Sequence, residues 1–286
     1  MKTIGMVGVG LMGHGIATNL AKHGFNLVLF EHNGNQPLES LKAAGATVVK
    51  SLAELAASSD AVILVLTGSA QVEAVLAGEG GIFNGLRGGT VVIDCSTAMP
   101  SSTKRMAQAA AERGGLFIDA PMTRTPKEAA EGRLNLLVGG DPGVVSLCEP
   151  VLRSFAENIT HVGPVGAGHS MKLLHNFVSL GMVTLLSEAA VCARLSDVSP
   201  QSFVEVLANG GGGGVALERM RPYLLDADPS GLRFSIANAA KDLRYYGEMA
   251  ESAHAPRDVA ESVLRVLDRA TSTLGGDAFM PQLSTL

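Results

Sequence analysis

The chain has 286 residues, 47% of them apolar and 17% charged, a balance that suits a packed protein of one large or two ordinary domains and excludes the disordered class. A net charge of -5 with scattered Lys and Arg provides no basic footprint, which excludes nucleic acid as a partner. The three cysteines, Cys95, Cys148 and Cys192, lie far apart and outside any metal-ligand spacing. They read as buried thiols of a reducing compartment, with no metal site.

The amino terminus passes directly into apparently structural sequence with no separate apolar signal region, so the expected location is the cytoplasm, with no membrane partner. The first half alternates short β-branched runs with helical segments, as crossover units on a mainly parallel sheet do. Strands are expected at Thr3–Val7, Leu27–Phe30, Ala61–Leu66, Thr90–Asp94, Phe117–Ala120 and Leu136–Val138. Helices are expected over Gly15–Lys22, Leu52–Ala57 and Ser101–Arg113, with Gly24 and Gly114 placed as C-terminal stops.

After Gly163 strand-like runs become rare and helical stretches such as Met171–Leu195, Pro200–Leu207 and Ala237–Ser252 take over. This predicts an α/β doubly wound domain over residues 1–162 followed by an all-α domain over 163–286. The apolar run Leu173–Leu195 contains His175, Asn176, Ser187, Glu188 and Arg194, which suits a buried helix of a soluble protein better than a membrane span. Gly210–Gly214 is too permissive for a helix interior and reads as a loop, either a connector or a close approach to a ligand.

Gly8-Val9-Gly10-Leu11-Met12-Gly13 has the spacing in which small residues let backbone donors approach a pyrophosphate at a helix N-terminus. An apolar strand precedes it, a helix and a second strand follow, and the acidic Glu31 stands about twenty residues on, as a dinucleotide site requires. The same glycines would also serve a tight strand-to-helix turn without any ligand. Glu31 would accept from the adenosine ribose hydroxyls and repel a 2′-phosphate, which favours NAD over NADP. A protonated His32 would partly offset that charge.

Lys172 and Asn176 are four residues apart in a helical segment that follows a glycine-rich crossing, so they share one helix face. A lysine can exchange a proton with a hydroxyl or carbonyl, and an amide can orient the same oxygen, a pair suited to alcohol–carbonyl redox chemistry. Read without further context, the bland reading, a solvated lysine and a polar asparagine, is the better one.

Five segments together resemble the β-hydroxyacid dehydrogenase family: the Gly8–Gly13 turn with Asn19-Leu20; Asp94-Cys95-Ser96-Thr97; Asp119-Ala120-Pro121; Gly163 through Lys172 with Asn176; and Lys241-Asp242-Leu243. The resemblance spans essentially the whole chain. It implies a Rossmann-like domain joined by a long helix to an all-helical domain, an active site between them, and a homodimer or homotetramer. It also implies Lys172 as general acid or base and Asn176 as the residue that orients the substrate. Gly8, Gly10, Leu11, Met12, Gly13, Glu31 and His32 then bind the cofactor. Leu66 and Thr67 lie beside its adenosine, Thr97 near the nicotinamide ribose, and Lys241 closes over it.

Where many relatives read Ser-Gly-Gly after the Asp-x-Pro element, this chain reads Thr123-Arg124-Thr125. Thr123 keeps a hydroxyl, and Arg124 adds a planar fork of donors suited to carboxylate, sulfonate or phosphate. The run resembles the sulfolactaldehyde reductase branch, where an arginine meets a sulfonate. The bland alternative for Arg124 is an exposed ion pair, for example with Glu128. The expected reaction interconverts a short anionic β-hydroxyacid and its semialdehyde or ketone. A catalytically idle dinucleotide-binding protein and an imine reductase are the alternatives.

Overall fold

The computed structural model describes residues 1–286. Two compact units divide the chain, Met1–Lys172 and Leu173–Leu286.

In the first unit, strands and helices alternate: β1 (Thr3–Val7), α1 (Leu11–Lys22), β2 (Asn26–Phe30), α2 (Glu39–Ala43), β3 (Thr47–Val49), α3 (Leu52–Ala57), β4 (Ala61–Leu64), α4 (Ser69–Ala77), β5 (Val91–Asp94), α5 (Pro100–Ala111) and β6 (Leu116–Asp119). These six strands are mutually parallel in the order β3-β2-β1-β4-β5-β6. Helices cover both faces, so β4 and β5 are buried along their whole length and read as unbroken apolar runs. Successive residues serve opposite cores: Ile4, Met6, Leu27, Leu29 and Ile63 on one face, Val28, Val62, Leu64 and Val92 on the other.

The chain winds outward from β1 to β3 and returns to build β4 to β6 on the other side. The direction in which strands are added across the sheet therefore reverses between β1 and β4, the place where a doubly wound sheet opens a crevice beyond the carboxyl ends of its strands.

Beyond β6 the pattern changes. β7 (Met122–Thr123), α6 (Pro126–Ala130), β8 (Leu134–Gly139), α7 (Pro142–Arg153) and β9 (Ala156–Gly163) lead to α8 (Ala167–Leu195). β8 contains the strand expected at Leu136–Val138 and runs antiparallel to β6 and β7 and parallel to β9; β7 and β9 have no counterpart in the expected pattern. β7 is too short to carry periodicity, and β9 lies at the sheet edge with much of its surface exposed. Asp141 starts α7 by accepting from the Gly143 and Val144 N–H groups, with Pro142 at the first helical position.

The second unit is all helical: the remainder of α8, then α9 (Pro200–Ala208), α10 (Val215–Asp226), α11 (Ile236–Ser252) and α12 (Asp258–Leu274). Ser199 and Ser235 cap α9 and α11, and Gly210–Gly214 lies between α9 and α10. α8 is long and apolar enough to cross a bilayer by length and composition, but it buries Leu173, Leu180 and Val183 in the core of its own unit with Leu217, Met220, Leu243 and Leu267. Its buried hydroxyls are satisfied locally, Thr184 by the Leu180 carbonyl and Ser187 by the Val183 carbonyl.

Leu267 is fully buried in this helical core. Leu267→Ala should lower the unfolding free energy by about 2–5 kcal/mol in a denaturant titration, the range for a buried leucine that leaves a cavity. A loss below about 1 kcal/mol would mean that the site collapses around the deletion or contributes little to the core.

Candidate active site

The turn from β1 into α1 lies at the crevice. Gly8 adopts φ 92, and a Cβ there would stand 2.1 Å from the Val65 carbonyl oxygen, while a Cβ on Gly13 would stand 2.0 Å from the Gly8 carbonyl oxygen. The fold itself demands those two glycines. Gly10 differs: a Cβ on it would meet only the Gly34 carbonyl, at 3.8 Å. Its small size leaves open space at the N-terminus of α1, where no side chain caps the helix and no acidic residue occupies the first turn. Free N–H groups and the helix dipole there suit a pyrophosphate.

Glu31 follows β2, and its backbone N–H is held by the Val49 carbonyl. Its carboxylate lies 3.4 Å from the Lys50 ammonium, both groups being well exposed. The His32 ring accepts from the Gly34 N–H. Asn35 supplies a link that had no recognisable sequence signal: its amide oxygen accepts from Val9 N–H and its amide nitrogen donates to the Phe30 carbonyl. The loop that presents Glu31 is thereby tied to the glycine-rich turn, and Glu31, His32 and Asn35 line an open, mostly polar pocket with Gln36, Glu39 and Lys42.

The turns after β4 and β5 are laced together in the same way. Ser96 Oγ accepts from Leu66 N–H at 2.9 Å, Ser69 Oγ accepts from Met99 N–H at 2.8 Å, and Asp94 accepts from Ser96 N–H. Leu66, Thr67 and Thr97 stand on these two turns.

Asp119, at the end of β6, is fully buried and organises the start of α8. Its Oδ1 accepts from Gly166 N–H and its Oδ2 from His169 N–H, each at 2.7 Å. Burial pushes the carboxyl above its usual range, opposed by the neighbouring His169 and by the two N–H donors. The carboxylate takes over two of the four orphan donors of that helix end. One turn further on, Lys172 Nζ donates to the Met122 carbonyl at 2.7 Å, next to Thr123. The segment Asp119–Met122 therefore holds α8 at both its backbone and its lysine.

Asn176 follows one turn later on the same helix, and its amide nitrogen donates to Asp242 Oδ2 at 2.6 Å. Asp242 is buried, and its other oxygen lies 3.1 Å from the Lys241 ammonium, close enough for an ion pair but not aligned as a hydrogen bond. Asp242 thus fixes the Asn176 amide, a role the sequence left unassigned.

Thr123 Oγ accepts from the Asn135 amide across β7 and β8. Arg124 takes φ 82, a left-handed conformation normally left to glycine. Its guanidinium hydrogen-bonds the Arg133 carbonyl and the Glu157 carboxylate. The ion-pair partner is Glu157 and not Glu128, because Glu128 is occupied: it accepts from both the N–H and the hydroxyl of Thr125, and the hydroxyl bond holds its carboxyl below the usual range. Thr125 is the N-cap of α6. Cys95 and Cys148 are buried and burial raises both thiols, as for inert packing residues; Cys192 is exposed, against the expectation that all three would be buried.

Two family models together match nearly the whole chain. The NAD binding domain of 6-phosphogluconate dehydrogenase matches residues 3–163, and the NAD-binding domain of NADP-dependent 3-hydroxyisobutyrate dehydrogenase matches residues 166–284. The chain is 30% identical to 2-(hydroxymethyl)glutarate dehydrogenase of Eubacterium barkeri, over 93% of this chain and 88% of that enzyme. It is 29% identical to 3-sulfolactaldehyde reductase of Escherichia coli, over 94% and 90%. Among solved structures, Mycobacterium tuberculosis 3-hydroxyisobutyrate dehydrogenase with L-serine superposes with a TM-score of 0.89 at 26% identity, covering 100% of this chain and 98% of that one.

Asp119→Asn tests the carboxylate seat directly. An asparagine can accept one of the two N–H groups but turns its own NH2 toward the other, leaving a buried donor facing a donor. The variant should lose about 1–3 kcal/mol of stability, read as a lowered Tm, the usual penalty for an unsatisfied buried polar group. An unchanged Tm would mean that the two N–H groups find other acceptors.

Proposed function

The chain belongs to the β-hydroxyacid dehydrogenase family, and on that premise we propose that it interconverts a short anionic β-hydroxyacid with its semialdehyde or ketone, using NAD in preference to NADP. Its class, an NAD(P)-dependent oxidoreductase acting on CH–OH groups, follows from the family. The observation that carries the narrower reading is the pair on α8: Lys172, whose ammonium reaches the Met122 carbonyl beside Thr123, and Asn176 one turn on, with its amide already fixed by Asp242.

The bound nicotinamide supplies the hydride acceptor or donor. Lys172 takes the hydroxyl proton as the alcohol is oxidised and returns it to the carbonyl oxygen in reduction. Asn176 orients that oxygen, and the Thr123 hydroxyl holds the acid group. The Gly8, Gly10, Leu11, Met12 and Gly13 turn receives the pyrophosphate, while Glu31 and His32 take the adenosine ribose. Leu66 and Thr67 border the adenosine, Thr97 the nicotinamide ribose, and Lys241 covers the cofactor. The NAD preference rests on Glu31, whose charge opposes a 2′-phosphate. Lys50 offsets it only in part, because an exposed pair at 3.4 Å is screened by solvent and salt.

A second reading, a sulfonated semialdehyde as substrate, rests on Arg124 and Thr125 and on the 29% identity to a sulfolactaldehyde reductase. For Arg124 to hold the substrate anion, the acid group must take the place of Glu157 on the guanidinium. The exposed apolar stripe Met171, Leu174, Val178, Met182 and Leu185 along α8 supports a homodimer or homotetramer, and the free cysteines suit a cytoplasmic location.

Lys172→Ala should lower kcat by roughly 10²- to 10⁴-fold, the span of general acid–base catalysis, with NADH affinity unchanged. Normal turnover in that variant would sink the catalytic assignment. In a spectrophotometric screen of hydroxyisobutyrate, serine, glycerate, 4-hydroxybutyrate and sulfonated analogues, Arg124→Gly should raise KM for the best substrate with little change in kcat. An unaltered profile would make Arg124 a surface residue.

A further inference from the structure

His169, on the first turn of α8, is completely buried at 0% exposure and has no part in the reaction described above. We propose that His169 is a positioning residue that ties the turn after β5, which carries Thr97, to the helix turn that carries Lys172. The proposal rests on the reading of Lys172 as the acid–base group.

Every polar atom of His169 near the ring or at its amide meets a different part of the cofactor end of the sheet. Nε2 lies 3.1 Å from the Ser96 carbonyl oxygen and Nδ1 lies 2.7 Å from Thr103 Oγ on α5. The backbone N–H donates to Asp119. A carbonyl oxygen can only accept, so Nε2 carries a hydrogen and donates it to Ser96. Nδ1 is then the acceptor for the Thr103 hydroxyl, whose contact with the Met99 carbonyl is longer, at 3.1 Å.

Two carboxylates flank the ring. Asp119 Oδ2 is 3.6 Å from Nδ1, and Asp94 Oδ2 is 3.9 Å from Nε2. Asp94 Oδ2 is buried without a hydrogen bond, and the Nε2–H dipole 3.9 Å away offsets part of its charge.

Ser96 is the crossing point. Its N–H is held by Asp94, its hydroxyl accepts from Leu66 N–H and its carbonyl accepts from His169. A single serine thus joins the turn after β4, the turn after β5 and the helix of Lys172. His169 precedes Lys172 by three positions, so the two side chains lie on neighbouring stretches of one helix face. An apolar side chain at 169 would leave the Ser96 carbonyl without its donor and free the turn next to Thr97 to shift. Displacements of about 1 Å between reacting groups lower rates by roughly a hundredfold.

The test compares His169→Leu, His169→Gln and His169→Asn with the wild type in steady-state kinetics, NADH fluorescence titration and thermal unfolding. Glutamine keeps a donor near the Nε2 end, and asparagine reaches only the Nδ1 end. His169→Leu should fold, lower kcat by roughly 10- to 100-fold and weaken NADH binding at least about fivefold. His169→Gln should restore both to within about threefold, and His169→Asn should not. A folded His169→Leu with kcat and NADH affinity within twofold of wild type would overturn the proposal, as would equal losses in the Gln and Asn variants. If His169→Leu does not fold, the Gln and Asn pair alone decides. Lys172→Ala run alongside separates the two claims: normal turnover there removes the catalytic reading, while NADH affinities of the His169 variants still report the tie.

Discussion

Two backbone N–H groups at the start of α8, those of Gly166 and His169, end on the two oxygens of Asp119. Helix N-termini in water can leave such donors to solvent, but here the helix enters against the carboxyl end of a sheet, where no water is available to satisfy them. A carboxylate is the side chain that can take both at once. The approach is so close that a Cβ on Gly168 would stand 2.4 Å from the Leu137 carbonyl oxygen and 2.8 Å from that of Asp119. From this seat follow the start of α8 at Ala167, the placement of Lys172 against Met122 and the burial of the His169 ring among Ser96, Thr103, Asp94 and Asp119.

This seat also explains where local sequence and structure part company. The glycines at 163, 166 and 168 argue against helix, so the periodic pattern places the start of the helix at Met171, whereas it begins at Ala167. Tertiary capping by Asp119 offsets glycine's poor helix propensity, and nothing within a local window shows that. The central strands were legible because burial on both faces makes β1, β2, β4 and β5 continuous apolar runs bounded by turns. β9 was not, since its exposed edge mixes Glu157, Asn158, Thr160 and His161 into the strand. α10 was hidden by the glycine run before it and by Pro222 within it.

For the site, the roles proposed for the glycine-rich turn and Glu31 rest on their spacing. The acid–base role proposed for Lys172 does not come from spacing, because a lysine and an asparagine four residues apart are common on helix surfaces; the resemblance of whole segments suggests it. The partners that hold these groups in place are distant in sequence and were not legible at all. Asp242 fixes the amide of Asn176 from 66 positions away, and Thr103 meets His169 from across another helix 66 positions before it. Side chains that orient functional groups leave no periodic trace, since each is a single residue whose position follows only from the folded topology.

Arg124 poses the sharpest energetic question in the molecule. A non-glycine residue at φ 82 costs roughly 1–2 kcal/mol, and such strain persists where the surroundings impose it. The guanidinium, anchored to the Arg133 carbonyl and to Glu157, supplies part of that compensation. Glu157 is about half exposed, with 46% of its side-chain surface accessible, so water can solvate it when the arginine leaves. Exposed pairs of this kind are worth about 0–1 kcal/mol, less than a desolvated bidentate contact to an acid group provides. Giving up Glu157 therefore costs little on the protein's side, which is what the exchange proposed for Arg124 requires.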